Sequence, residues 1–345
     1  MTNDIFYVCA MTPDDCSGGI MSCFLDERKH LQVKSHTPFC GCSYLGYSID
    51  RKVLYATCII DGEGGAAAFK ILPDGGLELL NKLPGNGRSS CYITAAPGGK
   101  YLYTANYSSA SISEFRLNED GSLSELVRTI HFDGRGVHER QDSAHPHFVK
   151  FTPDGRRLMV VDLGLDAVKQ FEFDPECGLI DVESPHCFTI TPPGSGPRHL
   201  IFNRQCDKAY VINEVGNTVS VLDYDGKNFT FRQQLSTLPA DFDGYSKAAA
   251  IRFSADERFL LASNRGFDSI AVYRVLDDGA LMLQDIVPSN GVSPRDINFL
   301  PDNRHLAAAN EFSDNLVLFD FDPESGKLTC CNNELKMPRP LAVYW

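Results

Sequence analysis

Residues 147–173 read HFVKFTPDGRRLMVVDLGLDAVKQFEF. An alternating run, HFVKFTP (147–153), leads into Pro153-Asp154-Gly155, residues that favour a tight turn. A second apolar run, LMVVD (158–162), follows, then a short polar link and a third run, VKQFEF (168–173). Short strands joined by turns, with no helical period longer than two turns, read as an antiparallel sheet.

The phrase recurs. LYATC (54–58), LYTAN (102–106), AYVIN (209–213), LLASN (260–264) and LAAAN (306–310) align with LMVVD. Their last residues are Cys58, Asn106, Asp162, Asn213, Asn264 and Asn310, at steps of 48, 56, 51, 51 and 46. First-strand phrases precede them, as in HLIFNR (199–204), AAIRFSA (249–255) and DINFLP (296–301). Third-strand phrases follow, as in SISEFRL (111–117), VSVLDY (219–224), IAVYRV (270–275) and LVLFDF (316–321). A fourth run such as SLSELVRTI (122–130) completes the unit. Four antiparallel strands in about 50 residues is the pattern of a propeller blade.

The chain ends supply the blade count. MPRPLAVYW (337–345) resembles the first-strand phrase SPRDINFLP (293–301), whereas IFYVCAM (5–11), GIMSCFLD (19–26) and LQVKSHT (31–37) read as second, third and fourth strands. The sequence therefore predicts an all-β fold, a seven-bladed β-propeller. Its ring is closed by the C-terminal strand joining the N-terminal blade, and residues 1–345 form a single domain. The longest irregular insertion is FDGRGVHERQDSAHP (132–146).

Bulk composition narrows the function. A formal net charge of −13 argues against nucleic-acid or anionic-membrane partners, which need a basic surface. The N-terminal MTNDIFYVCAMTPDD lacks a basic segment followed by an apolar one, and no apolar run reaches the roughly 18 residues of a membrane helix. A cytoplasmic protein with its twelve cysteines reduced is expected. Cys40-x-Cys42 and Cys330-Cys331 lack the paired spacing of a zinc site.

The repeat also positions chemistry. Fifteen residues before each phrase end lie Ser43, Cys91, His147, Arg198, Ala249 and Arg295, a register that the closing strand extends to Arg339. One residue after each lie Ile59, Tyr107, Leu163, Glu214, Arg265 and Glu311. The start of one strand and the end of its antiparallel neighbour share an end of the blade, so both registers are expected at one mouth of the central channel. His147, Arg198, Glu214 and Arg265 are expected to cluster there, with His145, His199, Arg295 and Asn106 lining a substrate pocket. Arginines bind anions through a planar fork and stabilise an oxyanion; a histidine or glutamate activates water near neutral pH. Such a set points to a small anionic substrate. An asparagine recurring in nearly every blade reads as a strand-end hydrogen-bonder, and Glu214 could simply pair with Arg198 or Arg265.

HPHFVKFTPDGRRL (145–158), GPRHLIFN (196–203), YVINEVGNTVSVL (210–222), LASNRGFDSIAVY (261–273) and SPRDINFLPDNRHLAAAN (293–310) resemble the lactonase family of seven-bladed propellers over essentially the whole chain. That family includes propeller-type 6-phosphogluconolactonases and carboxy-cis,cis-muconate cyclases. The resemblance implies a metal-independent site, with no cofactor, of His147, Arg198, Glu214 and Arg265. Ala249 departs from the polar register and puts substrate contacts from that blade in doubt, although Lys247 is close. The expected activity is hydrolysis of a sugar lactone such as 6-phosphogluconolactone. The alternatives are a carboxymuconate-lactonising enzyme and a noncatalytic binding scaffold. A six-bladed, calcium-dependent gluconolactonase is disfavoured because the register is cationic.

Overall fold

The computed structural model describes residues 5–11, 17–174, 180–183 and 185–345. They form seven four-stranded antiparallel sheets, the blades of an all-β propeller fold. The chain divides into two compact units, Met1–Pro38 with His199–Trp345, and Phe39–Arg198.

In the first unit, the C-terminal strand Pro340–Tyr344 pairs with Phe6–Ala10, which pairs with Gly19–Leu25 and then Leu31–Pro38. Tyr7 faces Tyr344 and Val8 faces Val343, so the two ends of the chain share one sheet, as the repeat predicts. The Lys247–Phe253 and Pro294–Phe299 strands each open a further blade, and Pro197–Phe202 opens another at the division between the units. In the second unit, blades begin at Leu45–Tyr47, Ser90–Ala95 and Pro146–Phe151.

Burial is greatest in the second strands and least in the fourth. The second strand His305–Asn310 is buried at every position, and its Ala307, Ala308 and Ala309 have no exposed surface. Small side chains there let neighbouring sheets approach closely. Leu281–Pro288, a fourth strand, is exposed along most of its length. Between sheets of the first unit, Phe6, Val8, Leu316, Leu318 and Val343 form one apolar cluster, and Ile297, Phe259, Phe319 and Phe321 form another. Each such side chain contributes about 1.5–3 kcal/mol on full burial.

In the second unit, the insertion before His147 is tied down. The short 3-10 helix Glu139–Gln141 is capped by His138, and Gln141 Nε2 donates to the Leu163 carbonyl at 2.8 Å. Gly164 runs so close to this loop that a Cβ there would collide with the Ser143 carbonyl oxygen.

Among the described residues, no helix is long and apolar enough to cross a membrane. Among the described residues nine cysteines, Cys23 and Cys58 included, are outside any disulfide. Cys40 is disulfide-bonded, which corrects the expectation of a fully reduced set.

Candidate active site

The first register acquires its character from a local irregularity. In the second unit Pro146 pairs with Asp162, but the next pair is Phe148 with Val161, which leaves His147 as an extra residue. Cys91 is skipped in the same way between Ser90 and Tyr92. In the first unit Arg295 is skipped between Pro294 and Asp296, and Ala249 lies in the irregular stretch between Ala248 and Ile251. These are β-bulges, which release a side chain from strict alternation and re-aim it at the rim of the sheet. Pattern reading found the positions but not the bulge, because the extra residue carries no turn signature.

The closing strand differs. Its shift falls between Pro340 and Ala342, so Leu341 holds the bulge position. Arg339 precedes the strand at φ 39°, and its main-chain N–H donates to Asp314 Oδ1 at 2.8 Å. This corrects its assignment to the first register: a proline on either side of Arg339 made two alignments of the phrase look alike.

In the first unit, the second register brings opposite charges together. Asn213 closes its strand against Thr218, and Glu214 follows it, 3% exposed. Arg265 ends the strand Phe259–Arg265 opposite Lys247. Arg265 Nη2 meets Glu214 Oε2 at 2.6 Å, with side chains 12% and 4% exposed. The same nitrogen lies 3.4 Å from the Ala248 carbonyl oxygen, and the buried Nε has no hydrogen-bond partner among the described residues. Burying two charges costs several kcal/mol per ion, which the pair's attraction often fails to offset. An unfilled buried donor costs about 1–3 kcal/mol more.

A second cluster lies in the same unit. Glu311 is 6% exposed; its Oε1 accepts from Arg339 Nη2 at 2.6 Å, and its Oε2 lies 3.8 Å from Arg295 Nη1.

In the second unit, His145 is enclosed. Its ring stacks on Tyr107 at 4.3 Å between centroids. Nδ1 lies 3.0 Å from the Tyr107 carbonyl oxygen and Nε2 2.8 Å from Asp142 Oδ1. With both nitrogens engaged, His145 holds its loop in place. His147, 5% exposed, meets Tyr107 edge-on at 5.7 Å. Beneath them Asp162 Oδ1 accepts from the main-chain N–H groups of His145 and Gly164. Burial pushes the Asp162 carboxyl above the ordinary carboxylate range, against the pull of Lys169 and of those N–H groups. Arg198 and His199 sit on Pro197–Phe202, 3% and 2% exposed.

The residues that end the second strands are used inside their blades. Asn106 has no exposed surface; its Oδ1 accepts from Ser90 and its Nδ2 donates to Ser111 and Ser113. Asn213 donates to Thr218 and Ser220, and Asn264 to the Thr237 carbonyl and Ser269. This is the strand-end hydrogen bonding that a residue repeated in blade after blade suggests. Among the described residues, no group of three or more His, Cys, Asp or Glu side chains could hold a metal ion.

A sequence model described as lactonase, 7-bladed beta-propeller, matches residues 5–345. The chain belongs to that lactonase family. It is therefore an enzyme of the carboxylic-ester hydrolase class. A 6-phosphogluconolactonase of Bacillus subtilis is 37% identical, covering 99% of this chain and 98% of the relative. Among solved structures, a Lactobacillus plantarum protein superposes with a TM-score of 0.92 at 31% identity, covering 99% of this chain and 98% of its own. A periplasmic gluconolactonase of Pseudomonas aeruginosa gives 0.90 at 29% identity, covering 98% of each chain.

Proposed function

We propose that this lactonase hydrolyses a small anionic sugar lactone, 6-phosphogluconolactone, to the open-chain acid, and that Glu214, Arg265, His147 and Arg198 carry the reaction. The observation that carries this reading is the buried Glu214–Arg265 contact at 2.6 Å, in a chain 37% identical to a 6-phosphogluconolactonase along 99% of its length.

Ring opening begins when water adds to the lactone carbonyl. The carbonyl oxygen becomes negative, and a guanidinium donor at that oxygen stabilises it. Arg265 and Arg198 supply such donors. A base takes the proton from the attacking water, and the same proton is returned to the ring oxygen as the carbon–oxygen bond breaks. Glu214 or His147 does this. Arg265 orients the Glu214 carboxylate through its contact to Oε2. Arg295 and His199 contribute to holding the substrate, while His145 and Asn106 support the strands that carry the site.

The substrate is a soluble metabolite, with no nucleic-acid or membrane partner; the free thiols favour a cytoplasmic setting, against the Cys40 disulfide. Assaying 6-phosphogluconolactone, gluconolactone and a carboxymuconate in parallel, with and without a chelator, tests the reading. Chelator-insensitive opening of the phosphorylated lactone is expected. Turnover of the carboxymuconate alone would establish the cyclase reaction instead, and turnover of none would leave a binding scaffold.

A further inference from the structure

Glu311 sits between two arginines that come from separate places in the chain. Arg295 occupies the bulge of its strand, whereas Arg339 lies in the loop before the closing strand. Arg339 Nη2 is 2.6 Å from Glu311 Oε1, and Arg295 Nη1 is 3.8 Å from Oε2. The Arg339 guanidinium lies 5.7 Å from the centre of the Phe312 ring, which is 64% exposed. The Arg339 side chain is itself 31% exposed and Glu311 only 7%. The carboxylate is thus the buried member and Arg339 the accessible one. Asp314, the other carboxylate at this loop, accepts from the Arg339 main-chain N–H.

We infer that Arg339, held by Glu311 and Phe312, is a specificity residue that binds the phosphate of the substrate together with Arg295. This rests on the lactonase reading above and extends it to residues outside the Glu214–Arg265 pair. The chemistry favours a phosphate. A guanidinium presents five donors in a fixed plane, and one contact to Glu311 leaves most of them for a second anion. An oxyanion with three terminal oxygens can bridge two such groups, and charge-assisted contacts of this kind are strong. A buried glutamate beneath the pair fixes the direction of Arg339, and the aromatic face limits its swing. An unphosphorylated sugar lactone offers these groups no matching charge.

The test separates binding from turnover. Calorimetric titration of the wild-type protein with 6-phosphogluconate and with gluconate should show the phosphorylated acid binding about tenfold tighter or more, and Arg339→Gln should erase most of that preference. Arg339→Lys should restore part of it, since charge remains but the planar fork does not. In turnover, the ratio of kcat/KM for the phosphorylated lactone to that for the unphosphorylated one should fall in Arg339→Gln, through KM. Equal losses with both ligands at an unchanged melting temperature, or an undiminished preference, would overturn the inference. If the phosphate preference is present and lost as described while neither lactone is turned over, the clamp stands and the hydrolase reading fails.

Discussion

Glu214 and Arg265 meet at 2.6 Å, each at the end of a second strand in its own blade and both buried. Neither residue is demanded by the packing of those strands, whose interiors are apolar. The pairing places a carboxylate and a guanidinium side by side. If they act as one unit, their losses will not add. Arg265→Gln should lower kcat/KM by about 100- to 1,000-fold, the usual effect of removing an oxyanion donor. The double variant with Glu214→Gln should cost little more than the worse single one. Additive losses in a double-mutant cycle would show that the two act separately.

The two histidines of the His-Pro-His phrase should respond differently. His145 has both ring nitrogens engaged, by Asp142 and by the Tyr107 carbonyl, so His145→Gln should chiefly lower the melting temperature. His147→Gln should chiefly lower kcat, by about 100-fold or more if it moves a proton. Paired kinetic and thermal measurements on both variants check this. The reverse pattern would move the proton-transfer role to His145.

Asp162 makes a prediction with a defined sign. Its carboxyl is raised in the folded protein above the 3.8 of an ordinary aspartate. A raised folded value means that its contribution to stability is complete below the unfolded value and is lost as pH rises through the folded one. Asp162→Asn keeps an oxygen for the His145 and Gly164 N–H groups but cannot ionise. The melting temperature of the wild type relative to this variant should therefore fall as pH rises above the ordinary aspartate value. A relative gain over that range would mean that Lys169 dominates and the carboxyl is held low.

Thiol labelling reads the packing of the blades. Burial pushes Cys23 and Cys58 up to about 12, whereas Cys187 is exposed. At pH 8 a thiol of that kind is ionised in about one molecule in ten thousand. Brief alkylation of the native protein followed by mass spectrometry should mark Cys187 and spare the other two. Rapid modification of Cys23 would contradict its burial within the terminal blade.

The blades were legible in the sequence because each repeats the same punctuation: alternation, a Pro-Asp-Gly type of turn, a buried run ending in Asn or Asp. The sharing of the last blade was legible because MPRPLAVYW can be read only as a first strand. The bulges were not, since an extra residue such as His147 or Arg295 leaves no mark in a pattern of period two. Arg339 was misplaced because a proline on either side of it lets the closing phrase align in two ways. Pairing of Glu214 with Arg265 was open in the sequence as one of two choices, because a register gives blade and height but not rotamer. The enclosure of Asn106 and the engagement of His145 depend on side-chain contacts that a strand pattern does not encode, with Ser90, Tyr107 and Asp142 as partners.

The central claim is that this chain opens a phosphorylated sugar lactone with Glu214 in the reacting set. The most direct measurement is the initial rate of 6-phosphogluconolactone ring opening, above the spontaneous rate, for the wild type and for Glu214→Gln at matched melting temperature. The account predicts rapid opening by the wild type and a fall of at least about 100-fold in the variant. A wild-type rate no faster than the spontaneous one, or a variant as active as the wild type, would contradict it.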